Sequence, residues 1–398
     1  MFCAIAHSRV SKLAAMIFCG ALVFLSGCAT SPNELPPDWS STNEVHAAQN
    51  PPPFKPIPEI VKTNLPPAIT NLPPIITNLP PVINAVAWPV TNHFKPRPAP
   101  IFTWTSLNRW AAGQKLGQPR LLAKSPLTTY AVRSDQGTMV LAIGSREATW
   151  NGVALHLGFA PEFIDGQVFV HGLDLQKNLE PLLCEAPPVF GTNRVIVIDP
   201  GHGGINAGTI GVLGGRLEKD FTLDWARRLV PLLSSNGWTV FLTRTNDVDV
   251  ALSNRVAFAE SHHANLFVSL HFNSAAPDKK QSGLETYCLT PVGMPSTLTR
   301  GNPDPWFQVF PNNAFDEQNL ALALRLHAAV LRASGEEDRG VRRARFMGVL
   351  HGHHHAAVLI EGGFLSNPHE AAKIESSEFR EKLAEAVAGA LRQSENGK

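Results

Sequence analysis

From Arg194 to Gln393, short and wholly apolar runs alternate with segments of helical spacing, and this alternation limits the fold more than any other feature of the chain. "RVIVIDPGHGG" reads as a buried strand running into a glycine-rich turn, with "WTVFLTR", "NLFVSLHFNS" and "GLETYCL" as further strands. "RFMGVL" and "AAVLIEGG" complete the set. Between them "LEKDFTLDWARRLVPLLSSNG", "LSNRVAFAESHH", "DEQNLALALRLHAAVLRASG" and the closing "SSEFREKLAEAVAGALRQ" carry apolar residues at helical spacing, the first stopped by Gly237. A strand apolar on both sides needs cover on both faces. The expected architecture is therefore α/β, a mostly parallel sheet between helices. The link between "RFMGVL" and "AAVLIEGG" is too short for a parallel crossover, so these two are expected to pair antiparallel.

The preceding chain is organised differently. Residues 1–27 have basic Arg9 and Lys12, an apolar run from Leu13 to Leu25, then small residues, the order of a secretory signal. The run falls short of the about 18 consecutive apolar residues of a spanning helix. "LSGC", Leu25 to Cys28, resembles the bacterial lipobox. That resemblance implies cleavage before Cys28, acylation there and an exported, membrane-tethered protein facing the periplasm, with Ala29 pointing to the outer membrane. Residues 28–100 follow as a tether: from Ser31 to Pro100 lie 18 of the 33 prolines and no glycine. The repeat "TNLPPAI-TNLPPII-TNLPPVI" has a seven-residue period, but paired prolines forbid a helix interior. At about 3.1 Å per residue such a stretch reaches on the order of 200 Å when extended.

Residues 101–187 turn globular. "TWTSLNRWAAGQ" looks helical, "TTYAVRS", "TMVLAIG" and "QVFVHG" alternate like strands, and "LHLGFAPEFIDGQVFV" suggests a hairpin. A small α+β accessory module is expected, loosely similar to the copper amine oxidase-like modules of exported bacterial proteins. "EAPPVFGTNR" reads as a linker to the layered domain, 194–398. The composition, 44% hydrophobic, supports at least one sizeable core, and a net charge of +1 provides no pull toward nucleic acid. Nothing specifies an oligomer, and a monomer is the expectation. Cys3 and Cys19 would leave with the signal. Cys184 and Cys288 remain, to be read equally as a pair or as two free thiols.

Ligands of open α/β sheets gather beyond the carboxyl ends of the strands. Three predicted strands deliver His202, His271 and Glu361 there, and Glu218 opens the helix after the glycine-rich loop on the same side. Two imidazoles plus one carboxylate make the three-ligand set of a hydrolytic zinc site, and a second carboxylate can then move the proton. "IDPGHGG", "EK" at Glu218–Lys219, "LTR" at Thr243–Arg244, "SLHFN" at Ser269–Asn273 and "VLIEGGFLSN" at Val358–Asn367, in that order, closely resemble the amidase-3 type of zinc-dependent N-acetylmuramoyl-L-alanine amidase. The resemblance implies a twisted, mostly parallel six-stranded sheet flanked by helices. It implies one Zn2+ held by His202, Glu218 and His271, with Glu361 catalytic. It also implies hydrolysis of the amide between muramic acid and L-alanine in peptidoglycan. Phe272 and Asn206 depart from the family's small residue and aspartate. Another zinc peptidase of the wall, or a non-catalytic wall-binding lipoprotein, stands as the alternative.

Other groups invite weaker readings. Four histidines crowd "HGHHH", His351 to His355, at the amino end of the strand that ends in Glu361, roughly 15–20 Å from the chemistry. A surface loop without a dedicated metal is expected there. Arg343 and Arg345 fall near the active rim, as contacts for a stem-peptide carboxylate or as solvated side chains. Asp199 either holds the loop of His202 or caps its strand, and Arg255 is an ion-pair anchor. His262, His263 and His327 are structural. The loop from Thr290 to Asn313 flanks the cleft or packs on the domain, with Trp306 and Phe307 available to glycan or peptide.

Overall fold

The computed structural model describes residues 103–184 and 194–392. The signal segment, Cys28, the proline-rich tether and the 185–193 linker lie outside the described residues. The first elements are β1 (Trp104–Ser106), α1 (Leu107–Gly113), β2 (Arg120–Ala123), β3 (Thr129–Arg133), β4 (Thr138–Ala142), β5 (Glu147–Trp150), β6 (Val153–His156), β7 (Glu162–Ile164) and β8 (Gln167–His171). β2 to β6 form an antiparallel meander, while β1, β8 and β7 make a separate three-stranded antiparallel sheet. The β7–β8 hairpin turns on Asp165 and Gly166, both with positive φ, as the two-residue turn that matches strand twist requires. α2 (Gly172–Asp174) passes through a π-type turn, Leu175–Leu179, into α3 (Glu180–Leu183).

The second part continues with β9 (Val195–Pro200), α4 (Glu218–Ser235), β10 (Thr239–Leu242), α5 (Leu252–Ser261), β11 (Leu266–Asn273), β12 (Leu284–Cys288), α6 (Asp316–Ser334), β13 (Asp338–Arg343), β14 (Ala356–Phe364), α7 (Pro368–Glu375) and α8 (Ser377–Ala390). The strand order is β10-β9-β11-β14-β12-β13, and it runs on through β6 into the meander, so one mixed sheet has eleven strands. Only the β14–β12 junction is antiparallel among the first six. Side chains alternate across this sheet with the two-residue period of a strand. Ile196, Ile198, Val358 and Ile360 pack with Phe221 and Trp225 of α4 and Leu383 of α8. Val197, Ala357 and Leu359 face the other way, toward Ala259 of α5 and toward Val349 and Leu350. Helices thus cover both faces, and each fully buried Leu or Ile contributes roughly 1.5–3 kcal/mol.

One expected strand is absent. "RFMGVL" does not pair with β14; Gly348–Leu350 form a short 3-10 turn, and β12 lies beside β14 instead. The apolar letters of that stretch serve the second core cluster, where Val349 and Leu350 are buried with Phe346 and Met347 beside them. The real neighbour of β12 is "DRGVRR", whose charges disguised a strand: Arg339 and Arg342 both pair with Glu285 of β12. Among the described residues no helix is long and apolar enough to cross a membrane. Cys184 and Cys288 are free thiols, the first exposed and the second buried.

Candidate metal centre and active site

β9 ends at Pro200, and the chain turns through Gly201, His202, Gly203 and Gly204. His202 takes a left-handed φ of 62°, uncommon for a residue with a Cβ. Two buried arginines hold this turn by its carbonyls. Arg244 donates to Pro200 O and Gly201 O, both at 2.9 Å, and Arg255 donates to His202 O at 2.8 Å. Arg255 is itself paired with buried Asp199 at 2.6 Å, and Asp199 also accepts from Ser269 Oγ at 2.7 Å and from Thr243 Oγ1. Asp199 therefore supports the loop from below, and Arg255 is an anchor.

On this frame His202 Nε2 and His271 Nδ1 each lie 3.0 Å from Glu218 Oε1. The two rings are 4.7 Å apart and nearly perpendicular. Asn206 Oδ1, 2.9 Å from His202 Nδ1, fixes the hydrogen on that nitrogen and turns the Nε2 lone pair inward. Backbone N–H groups of Phe272 and Thr209 donate to the two oxygens of Glu218, at 3.0 and 2.8 Å. The space is closely fitted. A Cβ on Gly201 would lie 2.3 Å from the His271 ring, and one on Gly208 would lie 2.6 Å from Glu218 Oε2.

The donor set fits a metal. Each imidazole nitrogen lies 3.0 Å from the carboxylate oxygen, close to the roughly 3.3 Å ligand separation of a tetrahedral zinc site with bonds near 2.0–2.1 Å, and all three donors lie within 4.8 Å of one another. Glu218 is the ionised member of the set. Burial alone would raise Glu218, but hydrogen bonds from both histidines and their charge outweigh it and hold the carboxyl far below the usual range. Burial would lower His202, and contact with Glu218 reverses that, so its pKa lies above the ordinary imidazole value.

Glu361 sits on β14 in register with His271 of neighbouring β11. It is buried, and its Oε2 has no hydrogen-bond partner. Burial first, then the charge of Glu218, push its carboxyl well above the ordinary range, while Arg300 pulls the other way. Sequence reasoning missed Arg300. It stands in the 290–313 loop, donates to Asn273 Oδ1 at 2.8 Å and lies over the Phe346 ring. No spacing marks it, because a loop residue reaches a site through the path of its loop. A cleft of about 180 Å³ opens beside the centre, lined by His202, Asn206, Asp249, Leu252, His271 and Val349.

Arg343 and Arg345 are not solvated; both are buried anchors whose guanidinium groups are turned to protein acceptors. Arg343 donates to Asn178 Oδ1 at 3.1 Å, and Arg345 donates to Pro291 O and Met294 O at 2.9 and 2.7 Å and pairs with Asp304. They fasten the long loop, which leaves Trp306 and Phe307 partly exposed, with Trp306 edge-on to Phe159. His327 is buried between Thr286 and Asp338. The "HGHHH" segment is not a surface loop throughout: His353 and His355 are buried, and only His354 is exposed.

Residues 196–393 match the family model described as Amidase_3, N-acetylmuramoyl-L-alanine amidase. Over 219 residues the chain is 30% identical to the N-acetylmuramoyl-L-alanine amidase AmiA of Escherichia coli K12, covering 50% of this chain and 75% of AmiA. The chain belongs to the N-acetylmuramoyl-L-alanine amidase family. It is also 31% identical over 243 residues to N-acetylmuramoyl-L-alanine amidase AmiC of E. coli O6:H1, covering 55% of this chain and 58% of that one. Among solved structures, the catalytic domain of CwlV, an N-acetylmuramoyl-L-alanine amidase from Bacillus (Paenibacillus) polymyxa var. colistinus, is 31% identical, with a TM-score of 0.42 over 50% of this chain and 96% of that one. The chain spans little more than half the length of AmiC, and the family match stops short of the residues before Ile196.

Proposed function

We propose that this amidase hydrolyses the amide between the lactyl group of N-acetylmuramic acid and L-alanine in peptidoglycan, using one Zn2+. The observation that carries the reading is the convergence of His202, Glu218 and His271 with Glu361 in register beside them. A bound Zn2+ supplies Lewis acidity, polarising the scissile carbonyl and bringing the pKa of a water to roughly 7. Glu361 takes the proton of the attacking water and passes it to the leaving amine; a carboxyl raised toward the working pH suits both transfers. His202 and His271 would serve as nitrogen donors to the ion, and Asn206 keeps the first in its working tautomer.

The six strands from β10 to β13 are read as the sheet of a catalytic domain spanning 194–398, with 101–187 as its accessory module. A lipid on Cys28 and the tether of 28–100 would let this domain act at a distance from an exported, outer-membrane anchor, as the lipobox-like "LSGC" suggests. The test is digestion of purified sacculi by metal-free and Zn2+-loaded protein, with products identified by mass. Zn2+-dependent release of stem peptides with a free L-alanine amino terminus is expected. Cleavage inside the stem peptide, or none, would overturn the reading.

A further inference from the structure

A second His–Glu cluster lies at the opposite end of the same strands. Glu260, in the last turn of α5, faces His353 and His355, which immediately precede β14. His353 Nε2 is 2.9 Å from the carbonyl oxygen of Val349, and only an N–H makes that contact. The hydrogen is thereby fixed on Nε2, and Nδ1 is left as a bare lone pair. That Nδ1 is fully buried, has no hydrogen-bond partner and stands 3.9 Å from Glu260 Oε1. His355 turns its Nδ1 to the same oxygen at 3.3 Å, and its Nε2 is buried without a partner.

The bare Nδ1 of His353 thus faces a carboxylate that is about a third exposed (32%), and a cation between these two acceptors would relieve their repulsion. His353 has no hydrogen to offer there, since the one it carries is engaged with the Val349 carbonyl. The carboxylate is held in place, since the His354 N–H donates to Glu260 Oε1 at 3.0 Å and His354 Nδ1 lies 3.0 Å from Oε2. The rings are held too. His353 packs on Phe267 at 4.2 Å between centroids and against His355 at 4.9 Å. All three donors lie within 4.8 Å of one another, and a contraction of about 0.6 Å would bring the 3.9 Å contact between His353 and Glu260 to tetrahedral zinc spacing.

We propose that Glu260, His353 and His355 form a second, structural site for a first-row divalent cation, Zn2+ being the best suited to this N,N,O set. The ion clips the end of α5 to the start of β14, joining segments about ninety residues apart in the chain. The site is independent of the hydrolytic centre, so it stands or falls separately from the proposed reaction.

The experiment counts metal. Full-length protein is loaded with Zn2+, dialysed against metal-free buffer and analysed by mass spectrometry. The same is done for Glu260→Gln, and for a His202→Ala/Glu218→Gln double variant in which the first centre has lost two donors. Two equivalents are expected in the parent and one in each variant. Co2+ titrated into the double variant should give a d–d absorption that adding Glu260→Gln removes or weakens at least about ten-fold. Zn2+ should also raise the Tm of the double variant. Glu260→Gln should digest sacculi like the parent. One equivalent in the parent, none in the double variant, or two surviving in Glu260→Gln would each overturn the proposal. The first two counts need no substitution at the proposed site, so a misfolded Glu260→Gln cannot obscure them.

Discussion

The two ends of β11 and β14 carry two clusters built from the same residue types in opposite ways. At the carboxyl rim, His202, Glu218 and His271 come from three separate segments, and each is fixed by a loop, a helix start or a strand end. At the amino rim, two imidazoles come from alternate positions of one short segment, and the carboxylate arrives from a helix end. The carboxyl-rim cluster was legible from strand ends and the family's motif order. The amino-rim cluster looked like a metal site in the sequence and was set aside as a surface loop, because closeness along the chain says nothing about where lone pairs point. Donors become a site when packing fixes their tautomers and removes competing partners. Asn206 does this for His202, and Val349 does it for His353.

Substitutions can separate the rims. The largest effect is expected from Glu361→Ala, which should keep its fold and metal yet lose about 10²–10⁴ in turnover on sacculi. Metal content that fell along with activity would mean Glu361 holds the ion as well. Next comes Arg255→Ala. Asp199 would be left buried and unpaired beneath the His202 loop, costing about 3–5 kcal/mol in denaturant unfolding. Because the charge of Asp199 is also felt by His353, this variant tests whether one buried pair supports both rims. Loss of only a few tenths would show the loop to be held by Arg244 alone.

Asn206→Ala should weaken metal affinity at the carboxyl rim by about 10–100-fold and leave the amino rim unchanged, as competition with a chelator would show. The pH dependence should follow the same asymmetry. His202 titrates above its ordinary value of 6.5, so carboxyl-rim metal should be released first as pH falls through that range, because protons compete for the ligand nitrogens. His353 and His355 are pushed to about 4 and about 3, so metal at the amino rim should persist to lower pH. The smallest effect belongs to Arg300→Met. Removing that charge raises Glu361 further, so the acid limb of the kcat/KM profile should move to higher pH by on the order of one unit or less. A shift to lower pH would place Arg300 on the substrate rather than on Glu361.

Much of the layered domain could be read from apolar periodicity, since a strand covered on both faces advertises itself. β13 escaped because its burial is by ion pairs: Arg339, Arg342 and Glu285 satisfy one another across strands, and no hydropathy pattern records that. "RFMGVL" misled for the converse reason, apolar residues capping a core without extending a sheet. Arg343 and Arg345 were expected at the active rim, on a stem-peptide carboxylate or in solvent, because an arginine buried against carbonyls and one in solvent look alike as letters.

By itself the sequence determined the alternation of strands and helices, the residue types at the strand ends and, through motif order, the family. Those properties are local or accumulate along the chain. Tertiary structure decided what depends on residues far apart meeting. It joined the strands before β9 to the main sheet through β6 and β13, and it set Arg300 where its charge acts on Glu361. It also buried half of a histidine cluster that the sequence left at the surface. Whether a titratable group is solvated, paired or left with an empty lone pair is a property of its neighbours, and only packing chooses them.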